Sequence, residues 1–464
     1  MISDVLAVGP ELCLLAGAVG GLLLGLWLPR ERQGYAHLVA SAGLVAAAGT
    51  TVPGFGAPAM SAYDGTYTVD TALRVVRVVV PLAGLAVLAL SRDRVRGHPR
   101  ETEFATLVVL AVLGTVLLAG ASDLLVLVAA YAVASVPLYT LAGFGKDAPG
   151  AEAALKLALY GAFLGIVMLA GVTSLYGLAG ATGYDALRGG LAGAPAAAVV
   201  AGAVALLAGL LFKAGAVPAH FWVPDAVQGS WTGVAAFLTT VPKIGAVVAV
   251  QRLVVDVLPA DGTTPLLLAV LAAASMTLGN LAAFWQDDVR RLLAYSTVGQ
   301  IGYLFIVPAA AGVDLAMPAL LFYLGAYAVT NIGAFAVVVA CPGATRLADY
   351  RGLSGRDPLL AFTLVVCLLG FVGTPPTAVF VGKLAVFTAG IDAGMVWLVV
   401  LAAANTVASV FYYLRWIVPL FRERATAPAA RAEAGWARAV AYGSGALTLL
   451  GGLAAGVALD VLRW

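Results

Sequence analysis

The sequence predicts an all-α integral membrane protein with about fourteen transmembrane helices in a single polytopic domain. Of the 464 residues, 62% are hydrophobic and only 11% are charged, and the mean hydropathy is +0.99. Soluble domains carry about 25% charged residues, so this chain has too few polar groups to cover a surface in water. Long charge-free stretches and a one-sided placement of the basic residues complete the prediction.

Each charge-free stretch is close to the length that crosses a bilayer, which is about 20 apolar residues. Stretch 78–91 is short, but residues from Thr71 onward lengthen it, with Arg74 and Arg77 facing protein or snorkelling. The first stretch lacks a preceding basic segment, so we interpret it as a span and not as a signal peptide. The fourteen stretches are 12–29, 33–63, 78–91, 104–122, 124–145, 157–184, 189–212, 226–242, 262–286, 292–313, 315–345, 358–382, 393–414 and 439–459.

The basic residues predict the orientation. Connections after even-numbered spans hold almost none, with Arg188 as the main exception. Because basic loops remain in the cytoplasm, both termini are expected on the outer side of a bacterial cell membrane. The basic residues after odd-numbered spans are Arg30, Arg32, Arg92, Arg94, Arg96, Arg100, Lys146, Arg290, Arg291, Arg346, Arg351, Arg356, Arg422, Arg424 and Arg431.

Several classes of function are excluded by what the sequence lacks. A net charge of +2 gives no reason to expect nucleic acid as a partner. Cys13, Cys341 and Cys367 lie too far apart in sequence for an iron–sulfur or zinc motif, and three histidines are too few to favour a haem. No nucleotide-binding glycine motif is present. We therefore expect no cofactor and no metal in this chain.

Lysine is concentrated in the apolar runs, whereas the 21 arginines lie in loops or near span ends. Arginine stays protonated at any depth, but burial can bring the pKa of a lysine toward neutrality, so a buried lysine can exchange its proton. Ionisable residues inside a membrane mark ion or proton pathways. We expect this role for Lys213, Lys243 and Lys383. For Lys156, an ion pair with Glu152 one helical turn away is an equally good explanation.

Two of these lysines lie beside expected helix breaks. Lys213 precedes Pro218 and Pro224, each expected to remove a backbone hydrogen bond, and Lys383 follows Pro375 and Pro376. Matched breaks in two halves of a membrane protein indicate an inverted repeat. The broken spans are the seventh and the twelfth, which predicts five-helix repeats over spans 4–8 and 9–13. The corresponding divisions are 1–103 for spans 1–3, 104–256, 262–421, and 434–464 for span 14.

Four long motifs surround these residues. They are FKAGAVPAHFWVPDAVQGSW at 212–231, FLTTVPKIGA at 237–246, NLAAFWQDDVRRLLAYSTVGQIGYL at 280–304 and GTPPTAVFVGKLAVF at 373–387. In this order they resemble the antiporter-like membrane subunits of bacterial respiratory complex I. The greatest similarity is to the N subunit of NADH:quinone oxidoreductase, which is related to Mrp-type sodium/proton antiporter subunits. The similarity runs along nearly the whole chain.

The resemblance implies a subunit of a proton-translocating enzyme, driven by quinone reduction elsewhere in the complex. In the family, residues at the positions of Lys213, Lys243, Lys383 and His220 relay a proton across the membrane. Supporting positions are Glu152, Lys156, Asp225, Gln300, Pro218, Pro375 and Pro376, with a loop role expected for Asp225. NADH, FMN, iron–sulfur clusters and quinone would be bound by partner subunits, and the other membrane-arm subunits and lipid would surround this chain.

Two departures from the family pattern bear on pumping. Ala132 aligns with the family's glutamate in span five, which pairs with the lysine of span seven, and Gln300 stands where the family often has a histidine. We therefore expect no carboxylate of this chain within about 4 Å of Lys213. Ala132→Glu is expected to favour the charged form of that lysine.

Two other classes of function remain open. A non-pumping structural subunit of the membrane arm is favoured by Ala132 and Gln300 and opposed by the three buried lysines. A subunit of an Mrp-type cation/proton antiporter or of a membrane-bound hydrogenase would share the same fold. The genes on either side would distinguish these possibilities.

Overall fold

Helices make up nearly all of the chain in the computed structural model, which describes residues 2–258, 263–423 and 435–462. In chain order they are α1 (Ile2–Ala7), α2 (Gly9–Trp27), α3 (Gly34–Thr51), α4 (Thr71–Val95), α5 (Glu101–Gly120), α6 (Leu124–Ala142), α7 (Ala148–Ala179), α8 (Tyr184–Leu191), α9 (Ala196–Ala214), α10 (Trp222–Gly229), α11 (Thr232–Asp256), α12 (Thr263–Ala283), α13 (Val289–Leu304), α14 (Ile306–Ala309), α15 (Ala316–Ala340), α16 (Leu353–Arg356), α17 (Pro358–Val372), α18 (Ala378–Asp392), α19 (Val396–Leu420), α20 (Gly435–Leu453) and α21 (Ala455–Leu462). Short 3₁₀ helices cover Arg30–Arg32, Val52–Gly54 and Leu347–Tyr350.

The prediction of an all-α membrane protein is confirmed. Twelve helical segments among the described residues are long and apolar enough to cross a membrane, and α20 and α21 form a further pair bent by 75°. The shorter apolar helix α17 has 15 residues and lies inside the predicted twelfth span, 358–382. Helix α18, also of 15 residues, begins inside that span but ends beyond it, at Asp392, so the predicted span was too short. The total of fourteen and the division into two five-helix repeats stay predictions. Arg424 and Arg431 lie outside the described residues.

One small antiparallel hairpin interrupts the helices. Strands β1 (Met60–Ala62) and β2 (Tyr67–Val69) pair with Met60 opposite Val69. The charge-free stretch 33–63 therefore contains a helix that ends at Thr51 and then part of this hairpin. Absence of charge does not reveal where a helix ends, so the predicted span was too long.

Helix α11 lies at the centre of the bundle. Every residue from Gly233 to Val254 is buried, and the helix packs against α4, α5, α9, α13 and α15. A helix surrounded by others needs an apolar surface on all sides, which its sequence provides. The predicted eighth span, 226–242, began too early and ended too early, because Lys243 does not end the helix but lies near its middle.

Arg74 and Arg77 face protein, one of the two arrangements expected for them. Both are 4% exposed. Arg77 forms a salt bridge of 2.7 Å with Glu11, and the Tyr67 hydroxyl donates to the same carboxylate at 2.7 Å. Arg74 donates to the carbonyl oxygen of Pro58 at 2.8 Å. Buried charges persist when they are paired and hydrogen-bonded in this way.

Candidate functional site

The two expected helix breaks are present and have the same local geometry. After α9, Gly215 has φ +76°, and the N–H groups of Gly215 and Ala216 both donate to the carbonyl oxygen of Leu211, at 2.8 and 2.9 Å. After α17, Gly373 has φ +88°, and the N–H groups of the glycine and of the following threonine both donate to the carbonyl oxygen of Leu369, at 3.0 and 3.1 Å. A left-handed glycine is the common way to end a helix.

Prolines follow each of these glycines. The Val217–Pro218 and Pro375–Pro376 peptide bonds are both cis. The expectation that Pro224 also breaks the span is wrong, because Pro224 lies in the first turn of α10. Proline is tolerated there, since the first N–H groups of a helix have no intrahelical partner.

The breaks bring backbone directly against two of the lysines. A Cβ atom on Gly215 would lie 3.1 Å from Nζ of Lys243, and one on Gly373 would lie 3.0 Å from Cδ of Lys383. Both glycines are therefore required twice, once for the left-handed backbone and once for the close approach. The site is built where a helix ends inside the bundle.

Lys213 occupies the last turn of α9 and is 2% exposed. Its ammonium donates to Oγ of Ser135 on α6 and lies 4.6 Å from the centroid of the Tyr131 ring. Among the residues that the structure describes, no carboxylate oxygen lies within 4.0 Å of this ammonium. That expectation from the sequence is confirmed.

Ala132, the position aligned with the family's glutamate, does not face Lys213. It is exposed on α6, whereas Tyr131 and Ser135 are buried. The effect expected for Ala132→Glu assumed a direct approach to the lysine, and the exposed position of Ala132 argues against it. Sequence reasoning pointed to Ala132 and not to Ser135, three residues later, which is the residue of α6 that accepts from Lys213.

Lys243 is completely buried beneath the first break. Its Nζ lies 3.4 Å from the carbonyl oxygen of Lys213 and 4.3 Å from the centroid of the Trp222 ring. Trp222 in turn donates from Nε1 to the carbonyl oxygen of Phe212 at 2.9 Å, which ties α10 to the end of α9. The first two lysines therefore belong to one cluster.

Lys383 contacts the end of the other broken helix. Its Nζ donates to the carbonyl oxygens of Phe371 and Val372, at 2.8 and 3.1 Å, and lies 4.1 Å from the centroid of the Tyr303 ring. The last carbonyl groups of a helix lack intrahelical partners and carry partial negative charge, so they suit a cation. Lys383 is 3% exposed.

A row of uncharged polar side chains connects the helix of Lys243 with the surroundings of Lys383. Gln300 on α13 donates to the carbonyl oxygen of Phe371 at 2.9 Å and accepts from the Tyr323 hydroxyl. One turn earlier on α13, Thr297 accepts a hydrogen bond of 3.0 Å from Tyr327 of α15. Lys383 donates to the same carbonyl oxygen of Phe371, so the α13 end of the row and Lys383 share a hydrogen-bond acceptor.

The same row reaches α11 through two residues of α15. The Tyr327 hydroxyl also lies 2.8 Å from the carbonyl oxygen of Thr239. Asn331, one turn farther along α15, donates to Oγ1 of Thr239 and of Thr240, at 2.8 Å each. Thr239 lies one turn before Lys243, so the polar row extends from Lys243 toward Lys383. The sequence did not reveal these residues, since polar side chains inside spans carry no signal of which face they occupy.

A separate charged cluster joins α7, α10 and α13. Lys156 lies 2.7 Å from both Glu152 and Asp225, and Arg291 lies 2.8 Å from the other oxygen of Asp225. Lys156 therefore forms the ion pair with Glu152 that the sequence analysis weighed against a role in a proton pathway. Asp225 lies inside α10 and not in a loop, so the loop role expected for it is wrong.

His220 lies between α9 and α10, half-buried, and its Nδ1 has no hydrogen-bond partner within the described part of the chain. The structure therefore brings Lys213 and Lys243 together and connects them to Lys383 through the polar row, but it does not include His220 in that row.

Within residues 2–258, 263–423 and 435–462, no group of three or more His, Cys, Asp or Glu side chains is arranged to hold a metal ion.

The family model and the curated relative that match this chain both name NADH:quinone oxidoreductase. A family model described as NADH:quinone oxidoreductase/Mrp antiporter, TM, matches residues 121–410. NADH-quinone oxidoreductase subunit N 1 of Streptomyces griseus is 55% identical, over 99% of this chain and 98% of the relative.

Two solved structures extend the comparison. A chain in the structure of respiratory complex I from Thermus thermophilus with bound aureothin is 34% identical, with a TM-score of 0.86 over 98% of this chain and 99% of that one. A chain of the Mrp complex from Dietzia sp. has a TM-score of 0.87 over 100% and 96% of the two chains. It is 21% identical, so this likeness concerns the fold alone.

Proposed function

The chain belongs to the NADH:quinone oxidoreductase/Mrp antiporter family of membrane proteins, and from this premise we propose that it is a proton-translocating, antiporter-like subunit N of a complex I-type NADH:quinone oxidoreductase. Its place is a bacterial cell membrane, among the other subunits of a membrane arm. The relatives named above support this assignment, since one carries the name of that subunit and another is part of a respiratory complex I.

One observation carries the proposal. Three buried lysines lie against two helix breaks, and polar side chains of α11, α13 and α15, hydrogen-bonded to one another in two groups, lie between the second and the third. Burying a charge without a counter-charge is costly, so such residues are retained in membrane proteins for function. A subunit with only a structural role has no use for three of them.

The chemistry of the row suits proton transfer. Threonine and tyrosine hydroxyl groups both donate and accept, so they can pass a proton on together with intervening water. The amides of Gln300 and Asn331 do not titrate, and they orient their neighbours. Because two nearby buried cations repel each other, a proton arriving at Lys213 disfavours the charge on Lys243 and moves it onward. NADH, FMN, iron–sulfur clusters and quinone are assigned to partner subunits.

Substitution of Lys383 tests the proposal in the assembled complex. We expect Lys383→Ala to lower NADH-driven acidification of inverted membrane vesicles while the complex still assembles. Lys383→Arg should fail as well, since arginine does not release its proton. The matched control is Lys146→Arg, the same change at the one lysine predicted in a loop, which should pump at the parental rate. Parental pumping by Lys383→Arg would contradict a role in proton exchange.

A non-pumping structural subunit is the second candidate, and the absence of titratable groups at Ala132 and Gln300 favours it. It makes the opposite prediction for the same vesicles, because every lysine variant that assembles should then pump normally. Replacing sodium with potassium in the vesicle buffer separates both candidates from a cation antiporter, for which the acidification should depend on sodium.

A further inference from the structure

We propose that Ser135 is the positioning residue for the Lys213 ammonium, and that it substitutes in this chain for a carboxylate partner. The inference rests on the proposed function, since it concerns the same proton relay. The inference arises from an unusual combination. Lys213 is only 2% exposed, yet the acceptor of its hydrogen bond is a serine hydroxyl and not a carboxylate.

The hydrogen-bond direction at Ser135 is fixed by a second contact. Its Oγ donates to the carbonyl oxygen of Tyr131 at 2.6 Å, one turn earlier on α6. The hydroxyl hydrogen is therefore committed, and the lone pairs of Oγ remain for an incoming donor. An ammonium group has three donors and no acceptor, so it is the donor of the Lys213–Ser135 contact.

Tyr131 completes the surroundings of the ammonium. The negative face of its ring lies 4.6 Å from Nζ of Lys213, an attraction that strengthens when water is excluded. The tyrosine hydroxyl is buried and has no hydrogen-bond partner among the described residues.

An uncharged partner changes how Lys213 acts on its neighbour. A carboxylate would cancel the positive charge, whereas a hydroxyl and an aromatic ring hold the ammonium without cancelling it. The field of the charged lysine therefore reaches Lys243, whose Nζ is 3.4 Å from the carbonyl oxygen of Lys213. In this chain, we infer, the charge on Lys213 acts directly on Lys243 by electrostatic repulsion. No ion pair between Lys213 and a carboxylate has to open first.

Three substitutions at one position test the inference, with protons pumped per NADH oxidised as the measured quantity. Ser135→Ala removes the acceptor, and a lost hydrogen bond to a charged group corresponds to about a tenfold change in the population of the charged form. We expect a comparable fall in pumping. Ser135→Thr retains the hydroxyl and should restore it. Ser135→Asp should trap the proton on Lys213 and also lower pumping.

The matched control is Ser174→Ala, the same change at a serine that also donates to the carbonyl oxygen one turn earlier but is exposed on α7. It should pump as the parent does. A purely structural role for Ser135 would change the amount of assembled complex and leave the ratio of protons to NADH unchanged. If Ser135→Ala does not assemble, Ser135→Cys keeps the volume with a weak acceptor and should show the same low ratio.

Two outcomes separate this inference from the function on which it depends. A parental ratio in Ser135→Ala or Ser135→Cys, together with loss of pumping in Lys213→Ala, overturns the role of Ser135 alone. A parental ratio in Lys213→Ala as well as in the Lys383 variants overturns the proton relay itself.

Discussion

Lys383 and Gln300 donate hydrogen bonds to the same atom, the carbonyl oxygen of Phe371, at 2.8 and 2.9 Å. The shared acceptor belongs to the last turn of α17, so the helix break joins the lysine to the amide. Gln300 therefore belongs to the surroundings of Lys383 although it does not titrate. A change of charge at Gln300 acts directly on Lys383.

The first prediction concerns Gln300→Glu. A carboxylate cannot donate to the carbonyl oxygen of Phe371, and it would pair with Lys383 and hold that lysine charged. We expect pumping to fall about tenfold, a change equivalent to a single charge-assisted hydrogen bond. The control is Gln286→Glu, near the end of α12, which should behave as the parent. Equal effects of both substitutions would show that the position of the charge is irrelevant.

The second prediction concerns Tyr327→Phe. It removes the hydroxyl that joins Thr239 of α11 to Thr297 of α13 and leaves the ring in place. We expect a loss of about 1 kcal/mol in stability and a several-fold fall in protons pumped per NADH. Tyr176→Phe, at a tyrosine 50% exposed on α7, serves as the control. Unchanged pumping in an assembled Tyr327→Phe complex would remove this hydroxyl from the proton path.

The third prediction concerns the buried pair of Glu11 and Arg77. Glu11→Ala leaves the guanidinium buried without its counter-charge, which costs about 3–5 kcal/mol. We expect a marked fall in the midpoint of thermal unfolding of the assembled complex. Replacing both partners with methionine should recover much of that loss, because no unpaired charge then remains.

A second salt bridge provides the comparison for this prediction. Asp287 and Arg415 also lie 2.7 Å apart, but their side chains are 75% and 37% exposed. Exposed pairs contribute about 0–1 kcal/mol, so Asp287→Ala should barely change the unfolding midpoint. Similar losses for Glu11→Ala and Asp287→Ala would mean that burial does not determine the cost.

The fourth prediction concerns orientation. The arginines that follow odd-numbered spans predict that both termini lie on the outer side of the membrane. Alkaline phosphatase fused after residue 464 should be active, since it folds only outside the cytoplasm, and a green fluorescent protein at the same site should stay dark. The reverse pair of results would invert the topology.

Local features of the sequence predicted much of the site. Gly373, Pro375 and Pro376 lie close together in an apolar run, a combination that favours a helix break, and a lysine in such a run is conspicuous, so the breaks and lysines were found. Ser135 and Asn331 were not, because their importance depends on which neighbouring helix they face. Defining spans by the absence of charge also misplaced the ends of the eighth span, because α11 continues through Lys243 where other helices surround it.

Asp225 shows the same limit for charged residues. Its partners Lys156 and Arg291 lie 69 and 66 residues away, a separation that no helical spacing encodes. Only the pair of Lys156 and Glu152, one turn apart, was accessible from the sequence.

Helix α7 has a consequence for the thickness of the surrounding lipid. Its 32 residues measure about 48 Å at 1.5 Å per residue, whereas the hydrocarbon core of a bilayer is about 30 Å thick. Such hydrophobic mismatch is relieved by tilting or by extension beyond the lipid. Because the ion pair of Lys156 with Asp225 joins the N-terminal third of this helix to α10, we expect protein contacts to set the depth of that end of α7. Thinner or thicker membranes then act on the opposite end of α7, away from the ion pairs.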